Sequence, residues 1–211
     1  MPRLSFQYHW RNHNYQTFED WLSSLKAKKA GEVRRERRRV AELKLDIQIL
    51  TGAQISLTHL QTMAQFYLDT CSRKWGPPRL NVRWFELMHE LESCRRNLVL
   101  VMASQASKLV AGTINFRKGD HLYGRYWGCL GDFPYLHFEC CYYQLIEYAI
   151  REKIQLYEAG AQGEHKFIRG FDAQPTYSAH GFVSEQARTG ISRFLQAEKI
   201  QMDQILAEYQ E

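Results

Sequence analysis

At 211 residues, 45% apolar and 13% aromatic, the chain can build one packed domain with an extension. That composition excludes a disordered tail, a collagen-like fibre and a small disulfide scaffold. The formal charge is +5, and it is concentrated: residues 26–39 hold eight cations against Glu32 and Glu36, a local +6 that leaves the remainder near −1.

The five cysteines contain no C-x-x-C pair, so reduced thiols are expected rather than a zinc site or a disulfide framework, and no metal is expected. No apolar run approaches the ~20 residues of a membrane span. The first residues, Met-Pro-Arg-Leu-Ser-Phe-Gln, lack the apolar stretch of a secretory signal, and a cytoplasmic location is expected.

Residues 1–15 are aromatic and polar without a clear period, as in a strand or loop that needs a partner. Thr17 caps a helix with Asp20 three residues on, and Phe18, Trp21, Leu22 and Leu25 follow on one face. The stripe thins to Val33, Val40 and Leu43 as cations accumulate, which predicts one long basic helix with a kink or break at Gly31. A half-buried strand is predicted over 45–50, then an amphipathic helix (Leu60, Met63, Ala64, Tyr67, Leu68, Cys71) ended by Trp75-Gly76-Pro77-Pro78, and a shorter helix near 82–91. Three strands are predicted next, over 98–103, 109–116 and 121–128, the last two joined by Lys118-Gly119-Asp120. A helix over 138–151, a strand over 154–159, a strand over 175–183 and a closing helix with Ile191, Phe194, Leu195, Met202, Ile205, Leu206 and Tyr209 at helical intervals complete the chain. Consecutive strands before a strand–helix–strand unit predict a mixed sheet in an α/β or α+β layer fold.

Three segments carry candidate chemistry. Alternation along 123–128 puts Tyr123, Arg125 and Trp127 on one side. There Arg125 either meets a carboxylate or phosphate in an aromatic-walled cleft or pairs with Glu139 or Glu158. Glu139 opens a helix beside His137 and shares a face with Glu147, two turns on. It is either a carboxylate favoured by the helix dipole or a general base for an amine, with His137 as a second candidate. The densest polar run leaves a strand at Glu158 and passes two glycines to Gln162, His165, Lys166 and Arg169. It is either a solvated loop or an anion site, with His165 as a further base. Tyr177 and His180, in the last predicted strand, are core residues or acids toward a leaving group. Ser-His-Asp order, H-E-x-x-H, a P-loop and G-x-G-x-x-G are absent.

These segments resemble a known family. Tyr67-Leu68-Asp69-Thr70 with Arg73-Lys74-Trp75-Gly76, residues 122–128, Leu136-His137-Phe138-Glu139 with Cys141-Tyr142-Tyr143-Gln144, residues 158–166 with Arg169-Gly170, residues 175–180 and Arg34-Arg35-Glu36-Arg37 are similar to the FemAB-like "peptidoglycan biosynthesis/recognition" group of GNAT-related acyltransferases. The resemblance covers nearly the whole chain.

It implies a GNAT-like, mixed, mostly antiparallel sheet flanked by helices, with residues 1–44 as an N-terminal extension bearing the basic helix and 45–211 as the acyltransferase domain. It also implies transfer of an acyl or aminoacyl group to an amine, with a peptidoglycan-precursor or peptide amine as acceptor and acyl-CoA or aminoacyl-tRNA as donor. Members of the group are built as two GNAT-like halves and this chain resembles the second, so a partner supplying the other half, or a homodimer, is expected. Glu139, His165 and His137 are the implied catalytic residues. Arg125, Tyr123, Trp127, Glu158, Gln162, Lys166, Arg169 and Tyr177 are the implied substrate-binding residues.

The chain departs from the group at Cys129-Leu130-Gly131-Asp132-Phe133-Pro134-Tyr135-Leu136, which lacks the glycine turn that cradles the CoA pyrophosphate in GNAT enzymes. Aminoacyl-tRNA, the donor of FemAB relatives, suits the basic helix, where Arg34, Arg35, Arg37 and Arg38 would contact phosphates. The competing readings are a non-catalytic binding module and an RNA-binding accessory protein.

Overall fold

The computed structural model describes residues 1–161, 163 and 165–208. In chain order the elements are β1 (Pro2–Arg11), α1 (Phe18–Ser24), α2 (Ala27–Glu42), β2 (Asp46–Thr51), α3 (Leu57–Thr70), α4 (Val82–Glu90), α5 (Glu92–Arg95), β3 (Leu98–Gln105), β4 (Lys108–Lys118), β5 (His121–Cys129), α6 (Leu136–Phe138), α7 (Gln144–Arg151), β6 (Leu156–Glu158), α8 (His165–Ile168), β7 (Asp172–Ala179) and α9 (Glu185–Glu208). Two π turns interrupt the helices, Cys71–Trp75 after α3 and Glu139–Tyr143 between α6 and α7. The chain divides into two compact units, Arg11–Glu158 and Met1–Trp10 with Ala159–Glu211.

In the first unit β2, β3, β4 and β5 pair antiparallel in that order, and β6 adds parallel to β5. This is the mixed, mostly antiparallel sheet flanked by helices that the sequence predicts. Side chains alternate across it. Leu98, Leu100, Met102 and Ile114 pack on one face against Leu60, Met63, Phe66 and Tyr67 of α3 and Phe85 of α4. At Gly128 of β5 the α3 backbone comes so close that an added Cβ would lie 2.4 Å from the Phe66 carbonyl oxygen.

The helix start at Thr17 is as expected: its hydroxyl accepts the Asp20 N–H at 3.1 Å, and the Asp20 carboxylate accepts the Thr17 N–H at 2.8 Å. Such a cap is worth about 1 kcal/mol. The long basic helix, however, is two helices. Leu25 is extended (ψ 154°) and separates α1 from α2, whereas Gly31 sits inside α2 without a break. The interruption lets Trp21 and Leu22 of α1 and Val33 and Val40 of α2 all be buried.

In the second unit β1 pairs antiparallel with β7, with Leu4 opposite Tyr177 and Tyr8 opposite Ala173. The N-terminal segment is a regular strand. Leu4, Phe6, Tyr8 and Trp10 recur at period two, and Leu4, Tyr8 and Trp10 are buried. The Arg3 guanidinium ties α9 to this strand through paired bonds to Glu198 at 2.7 and 2.8 Å. β6 is shorter than the strand predicted over 154–159, and β7 begins at Asp172, ahead of the predicted Pro175.

Candidate functional site

The first unit brings together two features that lie 102 residues apart in sequence. Arg37, on α2, reaches the π turn that carries Glu139. Its Nη2 donates to Glu139 Oε1 at 3.1 Å and to Glu147 Oε2 at 3.0 Å, and its Nε lies 3.2 and 3.3 Å from the two Glu139 oxygens. Gln144 Nε2 donates to Glu139 Oε1 at 2.7 Å, and the Phe18 ring lies 4.5 Å from the guanidinium carbon. Glu139 is 4% exposed. Burial opposes the Arg37 charge, but Glu139 and then Glu147 outweigh it and raise the guanidinium pKa above its ordinary value. The two-turn spacing of Glu139 and Glu147 thus places both acids on one cation.

Arg37, Glu139 and Gln144 line a cavity of about 730 Å³ whose walls also include Phe18, Leu22, Arg34, Arg38 and Asp46. Its size fits a small ligand. Glu36, the residue before Arg37 on α2, is buried and accepts the Tyr143 hydroxyl. Single π turns recur at functional sites.

The strand β5 departs from simple alternation. Ile114 lies opposite Tyr126 and Asn115 opposite Gly124, so Arg125 is an extra residue in a β-bulge. The bulge reverses the phase of the strand. Tyr123 lies opposite Phe116, on the α3 side, whereas Trp127 packs against His137 at 5.4 Å. Arg125 is exposed, with its guanidinium 5.0 Å over the Tyr126 ring, and neither the aromatic cleft nor the ion pair with Glu139 or Glu158 forms. His137 is edge-on to Trp127 and to Tyr142, which makes it part of an aromatic cluster. Glu158 is half-buried opposite Tyr123.

In the second unit the two cations that follow the glycines are not solvated. Lys166 is 5% exposed and Arg169 4%. The Lys166 ammonium donates to the Gly160 carbonyl at 3.2 Å and lies 5.4 Å over the Tyr8 ring, and Arg169 Nη1 donates to the His165 carbonyl at 2.7 Å. Gly163, at φ +96°, is required here: a Cβ would lie 2.3 Å from His165 Cε1, so the glycine makes room for the imidazole. Tyr177 is 79% exposed on β7 and is neither a core tyrosine nor part of this cluster. Gln162 lies outside the described residues.

Of the four arginines proposed for nucleic acid, Arg34 pairs with Glu19, and Arg37 is engaged as above. Arg35 and Arg38 are exposed and, among the described residues, meet no acid. Phe18, Glu36 and Gln144 escaped the sequence reading of the site. The spacing of Phe18 and Gln144 marks them as helix-face residues, and a glutamate amid five arginines reads as solvated. Among the described residues no group of three or more His, Cys, Asp or Glu side chains is placed to hold a metal ion, and no helix is long and apolar enough to cross a membrane.

A four-stranded antiparallel run that ends in a parallel step, with a helix leaving β5, defines a mixed α/β protein of the GNAT-like class. Within that class the chain belongs to the FemAB-like family, whose model, described as peptidoglycan biosynthesis/recognition, matches residues 1–211. Two solved structures share the fold. They are FemX (12% identity, TM-score 0.56, 90% of this chain and 57% of that one) and L-PGS from Bacillus licheniformis (10% identity, TM-score 0.57, 92% of this chain and 66% of that one). The chain therefore spans between half and two thirds of their length. No curated protein matches it.

Proposed function

We propose that the protein is an aminoacyltransferase that moves an aminoacyl group from an ester donor to an amine. The observation that carries this reading is membership, over all 211 residues, in a family described by peptidoglycan biosynthesis/recognition. The fold shared with FemX and L-PGS supports transferase chemistry. Aminoacyl-tRNA is the favoured donor, because residues 129–136 lack a CoA-cradling turn and Arg35 and Arg38 are exposed cations that meet no acid among the described residues.

In this reading the amine nitrogen attacks the ester carbonyl carbon, the C–N bond forms, and the C–O bond to the donor breaks. His165 takes the amine proton and returns it to the departing oxygen, which leaves as a hydroxyl. Lys166 and Arg169, both buried, hold a donor phosphate or carboxylate. Glu139 serves by fixing Arg37, since its carboxylate accepts from both the Arg37 guanidinium and the Gln144 carboxamide. The acceptor in this reading is a peptidoglycan-precursor or lipid-linked amine.

The test incubates the purified chain with labelled aminoacyl-tRNA or with acyl-CoA and amine acceptors, and identifies products by mass spectrometry. Transfer from aminoacyl-tRNA that falls ~10²-fold or more in His165→Ala is the expected result. Binding of donor and acceptor with no product from either donor would make the protein a recognition module instead.

A further inference from the structure

The first unit holds another cavity, of about 670 Å³, away from the Glu139 cluster. It lies where β2 ends, β3 begins and the β4–β5 hairpin turns, beneath the last turn of α7. Three arginines line it, Arg96, Arg117 and Arg151, against one acid, Glu152.

The acid organises two of them. Arg117 Nη1 donates to Glu152 Oε2 at 3.2 Å and to the Tyr148 hydroxyl at 3.3 Å, and Arg117 Nε donates to the Gly119 carbonyl at 3.2 Å. Arg151 Nε donates to Glu152 Oε1 at 3.4 Å, and its guanidinium carbon lies 5.4 Å over the Tyr148 ring. These contacts leave Arg117 Nη2 and both Arg151 Nη groups available. The Arg96 side chain makes no hydrogen bond or ion pair among the described residues.

We infer that this cavity binds the diphosphate group of a small molecule. Three cations against one acid leave a surplus of two positive charges, which a diphosphate offsets and a single carboxylate does not. Guanidinium forks match phosphate oxygens in pairs. Because Glu152 and Tyr148 already fix Arg117 and Arg151, little ordering remains when the anion arrives. Ile49 and Val99 give the cavity an apolar wall for the organic body of the ligand, and its volume is that of a small-molecule site.

Isothermal titration of the full chain with inorganic pyrophosphate and with ADP tests this. Saturable binding at one site per chain is expected for both. Arg96→Gln, which removes no contact within the fold, should weaken pyrophosphate binding about tenfold with an unchanged unfolding midpoint, and Arg151→Gln should weaken it by at least as much. The inference fails if neither probe saturates, or if both variants bind pyrophosphate like the parent chain. It also fails if citrate binds as tightly as pyrophosphate, or if Arg34→Gln with Arg38→Gln abolishes the signal instead.

Discussion

Glu139→Gln isolates the contact on which the first unit's cluster is built. Breaking a buried ion pair by removing one partner costs roughly 3–5 kcal/mol, because the surviving charge is left in a poorly hydrated place. Arg37 escapes part of that penalty: its side chain is 29% exposed, and it keeps Glu147, which is 45% exposed. The cost should therefore be about half the full value, ~2 kcal/mol. For a chain of this length that lowers the thermal midpoint by ~4–8 °C. Arg37→Met should cost more, ~3 kcal/mol, since Glu139 is far better buried than Arg37 and loses the one cation it meets among the described residues.

Combining the two removes both charges, so the double variant should be more stable than the sum of the singles predicts, with a coupling of ~1–2 kcal/mol in urea unfolding. Additivity within ~0.5 kcal/mol would refute the account of Arg37 and Glu139 as one buried unit. Turnover supplies the second readout. A residue that fixes Arg37 leaves the pH profile in place when changed to Gln, whereas loss of the profile's rising limb would identify Glu139 as the base.

Two further perturbations test other parts of the structure. Gly128→Ala puts a methyl group 2.4–2.5 Å from the Phe66 backbone and Cβ, so α3 must move off β5 by about 1 Å; a loss of ~2–3 kcal/mol is expected in denaturant unfolding, and an unchanged midpoint would mean that this approach is looser than it looks. The Cys129 thiol is pushed up to about 11, chiefly by burial, with Arg73 opposing and Asp69 and Asp132 adding to it. The folded state therefore holds that proton more tightly than the unfolded chain, so its contribution to stability is complete below pH ~9 and is lost as pH rises toward ~11. A midpoint that falls over that window in the parent chain but falls less in Cys129→Ser is the expected result, and parallel curves would contradict it.

Much of the architecture could be read from periodicity because the cause is local. The Thr17–Asp20 cap, the α3 stripe of Leu60, Met63, Ala64 and Tyr67, and the hairpin at Lys118-Gly119-Asp120 all follow from interactions within a few residues. The β1 strand is less legible: residues 1–15 together show no clear period and leave strand or loop open, although Leu4, Phe6, Tyr8 and Trp10 alternate within them. The break at Leu25 has no such marker. Gly31 is the weaker helix former, yet the turn falls where Trp21 and Val33 must both reach the core, a demand set by packing rather than propensity.

The candidate site shows the same division between local and long-range causes. Glu139 and Glu147 share a helical face, and that relation survives the π turn because both carboxylates still converge on one guanidinium. That the guanidinium belongs to Arg37 could not be read, because five arginines crowd residues 34–39 and only the placement of α2 selects among them. The strand reading failed for a related reason. Alternation predicts a shared face for Tyr123, Arg125 and Trp127, but one unpaired residue at the Ile114–Asn115 step shifts the register, and a one-residue shift exchanges the faces. Arg125 is then free to remain exposed, which removes the cost of burying it that made it a candidate at all. The charge buried among the described residues lies instead at Glu36 and Glu139, which Tyr143 and Arg37 reach across 107 and 102 residues of sequence, and at Lys166 and Arg169, which donate to backbone carbonyls six and four residues away.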